Sequence, residues 1–367
     1  MANPQLHILH TEASCGWGGQ EIRILEEMRG MQERGHQVRL VCPAEAHIYR
    51  RAQERGLTVT ALPIARKRLP GMLALRAWLK AQAVDVINTH SSTDSWLAAL
   101  ACASMPGAPA IVRTRHISAP IRDNRASRWL YGRATSHVVT TGEKLRETLI
   151  HENGLSEDHV TSVPTGIDTE RFAPGDGAAA RRALGLDPDC RWIGIVATLR
   201  SWKGHLYLLD ALAALARSDV RLLIVGEGPM RENIEAHVAK LGLAKQVLLA
   251  GEQRNPEHWM RACDVFCLPS YANEGVPQAL MQAMLCGLPV ISTPVGAIAE
   301  IVADGATGVL VEPRNAAALA AAIARLLDDD RLARSMGAAA RAAGEGRFSF
   351  GLMIDRMEAI FRAAARR

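Results

Sequence analysis

Short apolar runs and stretches of helical periodicity alternate from one end of this chain to the other. The apolar runs show little polar alternation and are rich in Val, Ile and Leu, as in strands buried on both faces of a parallel sheet. A first set comprises Leu6–His10, Val38–Cys42, Thr58–Leu62, Val84–Thr89, Ala110–Thr114, Val138–Thr140 and Val160–Val163. Between them the spacing predicts helices over Gln20–Arg34, closed by Gly35, and over Ile48–Arg55, Met72–Ala81, Ser95–Ala103 and Glu143–His151. Ile117–Arg128 is polar, basic and without a period, and reads as a mobile loop. Two prolines and two glycines between Pro164 and Gly175 mark a linker. Strands then recur at Trp192–Thr198, Arg221–Val225, Gln246–Ala250, Val265–Leu268, Leu288–Ile291 and Gly308–Val311. The intervening helices are Tyr207–Ala216, Arg231–Leu241, Pro256–Ala262 and Ala279–Leu285, followed by Asn315–Leu327, Arg331–Ala343 and Phe350–Ala365. This order predicts an α/β protein with an N-terminal domain over residues 1–168, a C-terminal domain over 169–347 and a closing helix within 348–367.

The stretch Cys267–Gly296 concentrates the chemistry. An apolar run ends at Pro269, a polar loop carries Glu274, and Pro277 stands where a first helical residue would. A helix N-terminus offers free N–H groups and partial positive charge to a phosphate. A carboxylate just before it would repel that phosphate, but it suits the hydroxyls of a sugar attached to it. Arg200 and Lys203 follow the strand that opens the second domain, and ligands of open parallel sheets bind beyond the strand carboxyl ends. Arg supplies a bidentate fork and Lys a point charge, a pair able to neutralise a diphosphate and the charge growing on a leaving nucleotide. In the first domain, Cys15 to Glu21 is a glycine-rich loop opening a helix, so Gly18 and Gly19 let the backbone approach an anion closely. It is not a GxGxxG loop, and no clear acid ends a second strand, which argues against a dinucleotide oxidoreductase. His90 and His116 each stand at a strand carboxyl end, the latter beside Arg115, while the other ten histidines read as surface or core.

Composition narrows the class without naming it. At 367 residues, 48% apolar and 22% charged, the chain is long enough for two cored domains. The net charge of +5 is ordinary, but Arg66–Arg146 holds 13 Lys/Arg against four Asp/Glu. Such an excess on one face would attract phosphates or an anionic membrane. Aromatics at 4% and the lack of a recognisable motif argue against nucleic acid. Seven cysteines without a CxxC pair suit a reducing cytoplasm. The N-terminus shows no signal-peptide pattern and no apolar run has spanning length, so membrane contact is expected to be peripheral. No His/Asp/Glu group has metal-ligand spacing, and no metal or other cofactor is expected.

The run Glu274-Gly275-Val276-Pro277, followed by a polar residue eight positions after the acid and then Ala-Met, resembles the donor-binding signature of retaining glycosyltransferases of the GT-B fold, family 4 (group 1) type. The resemblance covers essentially the whole chain. The family pattern has a second Glu where this chain has Gln282. What the resemblance implies is a GT-B fold, two Rossmann-like domains facing across a cleft, with the last helix crossing back to the first domain. It implies transfer of a sugar, with retention and without a metal, from a UDP or GDP sugar to a glycan or lipid-linked acceptor in bacterial envelope polysaccharide synthesis. The place of action would be the cytoplasm, with peripheral contact at the inner membrane. Glu274, His116, Lys203 and Arg200 would be catalytic. Gly18, Gly19, Gln253, Arg254, Gly275, Val276, Pro277 and Gln282 would join Arg200, Lys203 and Glu274 in holding the donor, with His90 and Arg115 on the acceptor side. Two other readings stay open: a nucleotide-sugar 2-epimerase on the same fold, and a non-catalytic nucleotide-sugar binder suggested by Gln282.

Overall fold

The computed structural model describes residues 4–116, 121–122, 124–272 and 274–366. The chain divides into two compact units, Met1–Gly166 with Gly351–Arg367, and Ile167–Phe350. Each is built on a wholly parallel sheet flanked by helices.

The first unit contains β1 (His7–Thr11), β2 (Gln37–Cys42), β3 (Val59–Ala61), β4 (Val86–Thr89), β5 (Ala110–Arg115), β6 (His137–Thr140) and β7 (Val160–Ser162), in the order β3-β2-β1-β4-β5-β6-β7. The order reverses between β1 and β4, where open α/β sheets leave a crevice for ligands. β1 and β4 are fully buried but for His7, and Ile8, Leu9, Val86 and Ile87 fill the layers against the helices. Burying each such side chain contributes ~1.5–3 kcal/mol. The closing helix Phe350–Ala365 packs on this unit: Met357 and Phe361 are fully buried, and Arg34 donates to Glu358 at 2.7 Å.

The second unit contains β8 (Arg191–Val196), β9 (Val220–Val225), β10 (Val247–Gly251), β11 (Val265–Leu268), β12 (Val290–Ser292) and β13 (Gly308–Leu310), in the order β10-β9-β8-β11-β12-β13. Its switch point lies between β8 and β11, the two strands that precede Lys203 and Glu274.

Several boundaries differ from the periodicity, each for a local reason. The helix expected at Ser95 starts at Ser92, because Ser91 and Asp94 form a reciprocal capping box. A helix at Gly177–Ala183 goes unread in the sequence; Asp176 caps it by accepting from Ala179 N at 3.1 Å. The helix expected to end at Ala343 continues to Phe348. Of the loop expected over Ile117–Arg128, residues 117–120 and 123 lie outside the described residues, while Arg125–Arg128 is a helical turn capped by Asn124. Pro277 is the cap and not the first helical residue: its ψ of 117° is extended, and the helix runs Gln278–Leu285.

Candidate active site

In the second unit, the carboxyl end of β8 leads into a short turn, Ser201–Lys203, and that of β11 into the loop carrying Glu274. Gly204 sits at φ +80°, and a Cβ there would overlap the Pro269 carbonyl, so only glycine lets the β8 turn come this close to the β11 end. Tyr271 N donates to Trp202 O at 2.8 Å and ties the two loops together. The result is an ion pair, Lys203 Nζ to Glu274 Oε1 at 2.6 Å. Ser270 Oγ donates to the same oxygen at 2.6 Å, and Thr293 Oγ1 donates to the Ser270 carbonyl. Gly296, at φ +62°, passes so close to Glu274 that a Cβ would overlap its carbonyl. Glu274 is 5% exposed. A buried carboxylate held by a cation and a hydroxyl through Oε1 keeps one orientation and leaves Oε2 for a further donor.

The remaining residues expected here are arranged less tightly. Arg200 is exposed, its guanidinium 5.8 Å from the centre of the Trp202 ring. Gln253 donates to Ala250 O in its own turn at 2.6 Å, and the Arg254 carbonyl accepts from Arg171 at 2.9 Å. Gly275 and Val276 are half-buried and Pro277 is buried, while Gln282 lies half-buried in the helix that Pro277 caps. His205, buried beside the ion pair, has its pKa lowered to about 4 by desolvation and by Lys203. Sequence reasoning missed Ser270, Thr293 and Gly296; a polar residue at each strand end and a lone glycine were the only local signals.

In the first unit, Gly18 caps the helix Gly19–Glu33, so the glycine loop does present a helix N-terminus. Next to it lies a connected row of imidazoles. His10 Nδ1 is 2.9 Å from His90 Nε2, and His90 Nδ1 is 3.0 Å from His116 Nε2. The His10 and His90 rings stack 8° from parallel. At the inner end, His10 Nε2 is 3.9 Å from Glu27 Oε1, and Glu27 pairs with Arg23 and accepts from Asn88. Burial, then the Arg23 charge, lowers the His10 pKa to about 3; His90 and His116 are pushed well below the usual histidine value, chiefly by burial. All three rings are neutral at pH 7. Three neutral rings joined by two hydrogen bonds must share one tautomer. An N–H on His10 Nε2, facing the Glu27 carboxylate, is favoured over a lone pair there, and the chain then leaves His116 Nδ1 as an acceptor. His10 was read, with the other histidines, as surface or core; it is buried and forms the inner member of this row.

Acid groups crowd the same strand ends. Thr11 Oγ1 donates to Asp94 Oδ2 at 2.8 Å, and Ser14 N donates to Glu12 Oε1 at 2.7 Å. Burial, and after it Asp94, pushes Glu12 up to about 8; burial raises Asp94 as well. Arg115 donates to the Tyr131 hydroxyl at the edge of this group. Among the described residues no group of three or more His, Cys, Asp or Glu is disposed to hold a metal ion.

Comparison with known proteins assigns this architecture. Residues 177–343 match the family described as "Glycosyl transferases group 1", and residues 17–171 match "Glycosyltransferase Family 4". A D-inositol 3-phosphate glycosyltransferase of Thermobispora bispora is 30% identical, over 95% of this chain and 91% of its own. The lipopolysaccharide core biosynthesis mannosyltransferase LpsB of Rhizobium meliloti is 36% identical, over 53% of this chain and 57% of its own. The chain spans about half to three-fifths of the length of several curated relatives it matches, LpsB among them. Among solved structures, Anabaena Alr3699/HepE in complex with UDP-glucose superposes with a TM-score of 0.85 at 22% identity, over 98% of this chain and 100% of its own. With both halves matched and the fold shared, the chain belongs to the group 1 glycosyltransferases of the GT-B fold.

Proposed function

We propose that this protein is a retaining glycosyltransferase that moves a sugar from a nucleotide-diphosphate sugar to a glycan or glycolipid of the bacterial envelope. The observation that carries the reading is the Lys203–Glu274 pair at the switch point of the second sheet. A nucleotide diphosphate arriving there competes for Lys203, with Arg200 as a second, solvent-side cation. A sugar hydroxyl then donates to Glu274, which is already oriented through Ser270. In the reaction the bond from the anomeric carbon to the diphosphate breaks. The acceptor oxygen bonds to that carbon on the same face, and its proton passes to the departing phosphate oxygen. Lys203 stabilises the charge left on the diphosphate, which is worth most in a site shielded from water. His116 Nδ1 accepts a hydrogen bond from a sugar hydroxyl. The names of relatives such as LpsB, and the UDP-glucose held by HepE, support the donor class and the envelope setting.

Thermal-shift screening across UDP and GDP sugars is the direct test, because a ligand that binds only the native state raises the melting temperature. One nucleotide sugar is expected to raise it, and to be turned over only when an acceptor is added. Conversion of the donor alone would instead identify an epimerase, and binding without turnover under any acceptor would identify a non-catalytic nucleotide-sugar binder.

Membrane attachment is proposed from the first unit. Arg66, Lys67 and Arg68 are exposed and lead into the helix Leu69–Lys80. There Leu69 and Leu73 stand one turn apart, 64% and 51% exposed. Each well-placed cation contributes ~1 kcal/mol at an anionic surface, screened by salt. Co-sedimentation with phosphatidylglycerol liposomes is expected at low salt, with release at high salt and weakening in a Leu69→Ser/Leu73→Ser variant. Binding that ignores salt, or none at low salt, removes the proposal. No described helix is long and apolar enough to cross a membrane.

A further inference from the structure

The basic stretch does not lie on one surface: one of its arginines is turned inward. Arg113 and Arg115 alternate onto the same side of β5. They project into a cavity of about 400 Å³ that is also lined by His116, Trp96, Arg122 and Tyr131. Arg113 is 4% exposed, and its Nη1 is buried with no hydrogen-bond partner. Its guanidinium lies 4.2 Å from the centre of the Tyr131 ring, which fixes the plane of the fork. Asp94, a carboxylate whose charge reaches Arg113, is already saturated: it accepts from Thr11, from the backbone N–H groups of His90 and Ser91, and from the Ser91 hydroxyl. Lys67 stands close by, donating to Ser92 at the cavity rim. Burial, with Arg115 adding to it, lowers the Arg113 pKa, although Tyr131 and Asp94 oppose this. A guanidinium kept dry with an open donor and a neighbouring cation is costly in the free protein unless an anion completes it.

We infer that this cavity is a phosphate subsite, and that the acceptor of the proposed transfer carries a phosphate group clamped by Arg113 with Arg115 and Arg122. A tetrahedral oxyanion matches the rigid fork, and a volume of about 400 Å³ admits a phosphorylated sugar residue. Bound there, the acceptor lies beside His116, which lines the same cavity. This deepens the glycosyltransferase reading and rests on it only for the word acceptor.

The test is calorimetric titration of the full chain with inorganic phosphate, run with and without saturating UDP, so that the donor site is filled in one arm. Wild type is expected to bind phosphate in both arms. Arg113→Gln should weaken binding roughly 10-fold or more, and Arg113→Lys, which keeps the charge, by only a few-fold. Both variants should retain wild-type melting behaviour. Phosphate binding that disappears when UDP is present, or that Arg113→Gln leaves unchanged, overturns the subsite. Glycerol phosphate and a short-chain prenyl diphosphate in detergent then separate the sources. Binding of the first assigns a soluble phosphorylated acceptor and of the second alone a lipid-linked one, and failure of both overturns the subsite. If no nucleotide sugar binds while phosphate still does, the glycosyltransferase reading fails and the anion site stands.

Discussion

Replacing Lys203 with alanine is expected to lower kcat by roughly two orders of magnitude or more, about 3 kcal/mol of transition-state stabilisation. The same change should cost stability. Glu274 is almost fully buried, and without Lys203 its carboxylate keeps, among the described residues, the Ser270 hydroxyl as its partner through Oε1. Breaking one side of a buried pair costs ~3–5 kcal/mol, and the 19% exposure of the Lys203 side chain brings the expectation to about 2 kcal/mol. Glu274→Gln should lose most activity with a smaller stability loss, since the ammonium left behind can turn toward water. Combining Lys203→Met with Glu274→Gln removes both charges, and should recover the melting temperature without recovering turnover. Near-normal kcat in Lys203→Ala removes Lys203 from the mechanism. A double variant no more stable than Lys203→Ala shows that the pair is not what holds this loop.

The second large effect concerns the imidazole row. His116→Ala should lower kcat/KM by about 10- to 100-fold, the worth of a hydrogen bond to a reacting sugar in a shielded site. The more telling variant is His10→Phe. His10 is fully buried and its ring sits two hydrogen bonds away from His116, so it acts only by fixing the tautomer. Losing it frees His90 and His116 to adopt either tautomer, and kcat/KM should fall ~3- to 10-fold, as for one neutral hydrogen bond, with KM for the nucleotide sugar little changed. Because the rings are neutral at pH 7, wild-type kcat/KM should show no histidine titration between pH 6 and 8. A His10→Phe enzyme with unaltered kcat/KM and an unchanged melting temperature disproves the relay, while His116→Ala still tests the contact itself.

The alternation of apolar runs with helical periodicity was enough to predict two parallel sheets, because burial on both faces writes itself into consecutive residues. The short-range grammar of Glu274 to Pro277 and of Arg200 to Lys203 was also legible, since a strand, its loop and the next helix are neighbours in the chain. The sequence even located both loops at strand carboxyl ends. It could not say that β8 and β11 are adjacent, and that adjacency is what turns Lys203 and Glu274, 71 residues apart, into an ion pair. Caps escaped for a related reason: Asp176, and Ser91 with Asp94, act through single side chains that periodicity does not weigh.

The histidine row lay furthest from view. His10, His90 and His116 are 80 and 26 positions apart, in or one residue beyond β1, β4 and β5, strands that are neighbours in the sheet but far apart in the chain. Each by itself looked like a core or strand-end residue. Arg113 was counted as one more surface charge in a basic stretch, and only the packing of β5 against Tyr131 buries it. The sequence by itself determined which elements form and which side chains stand at their ends, because those depend on interactions within about one turn or one strand. Tertiary structure decided which ends meet, which charges lose their water and which nitrogen of an imidazole carries the proton, because those depend on strand order and burial, quantities that no local pattern contains.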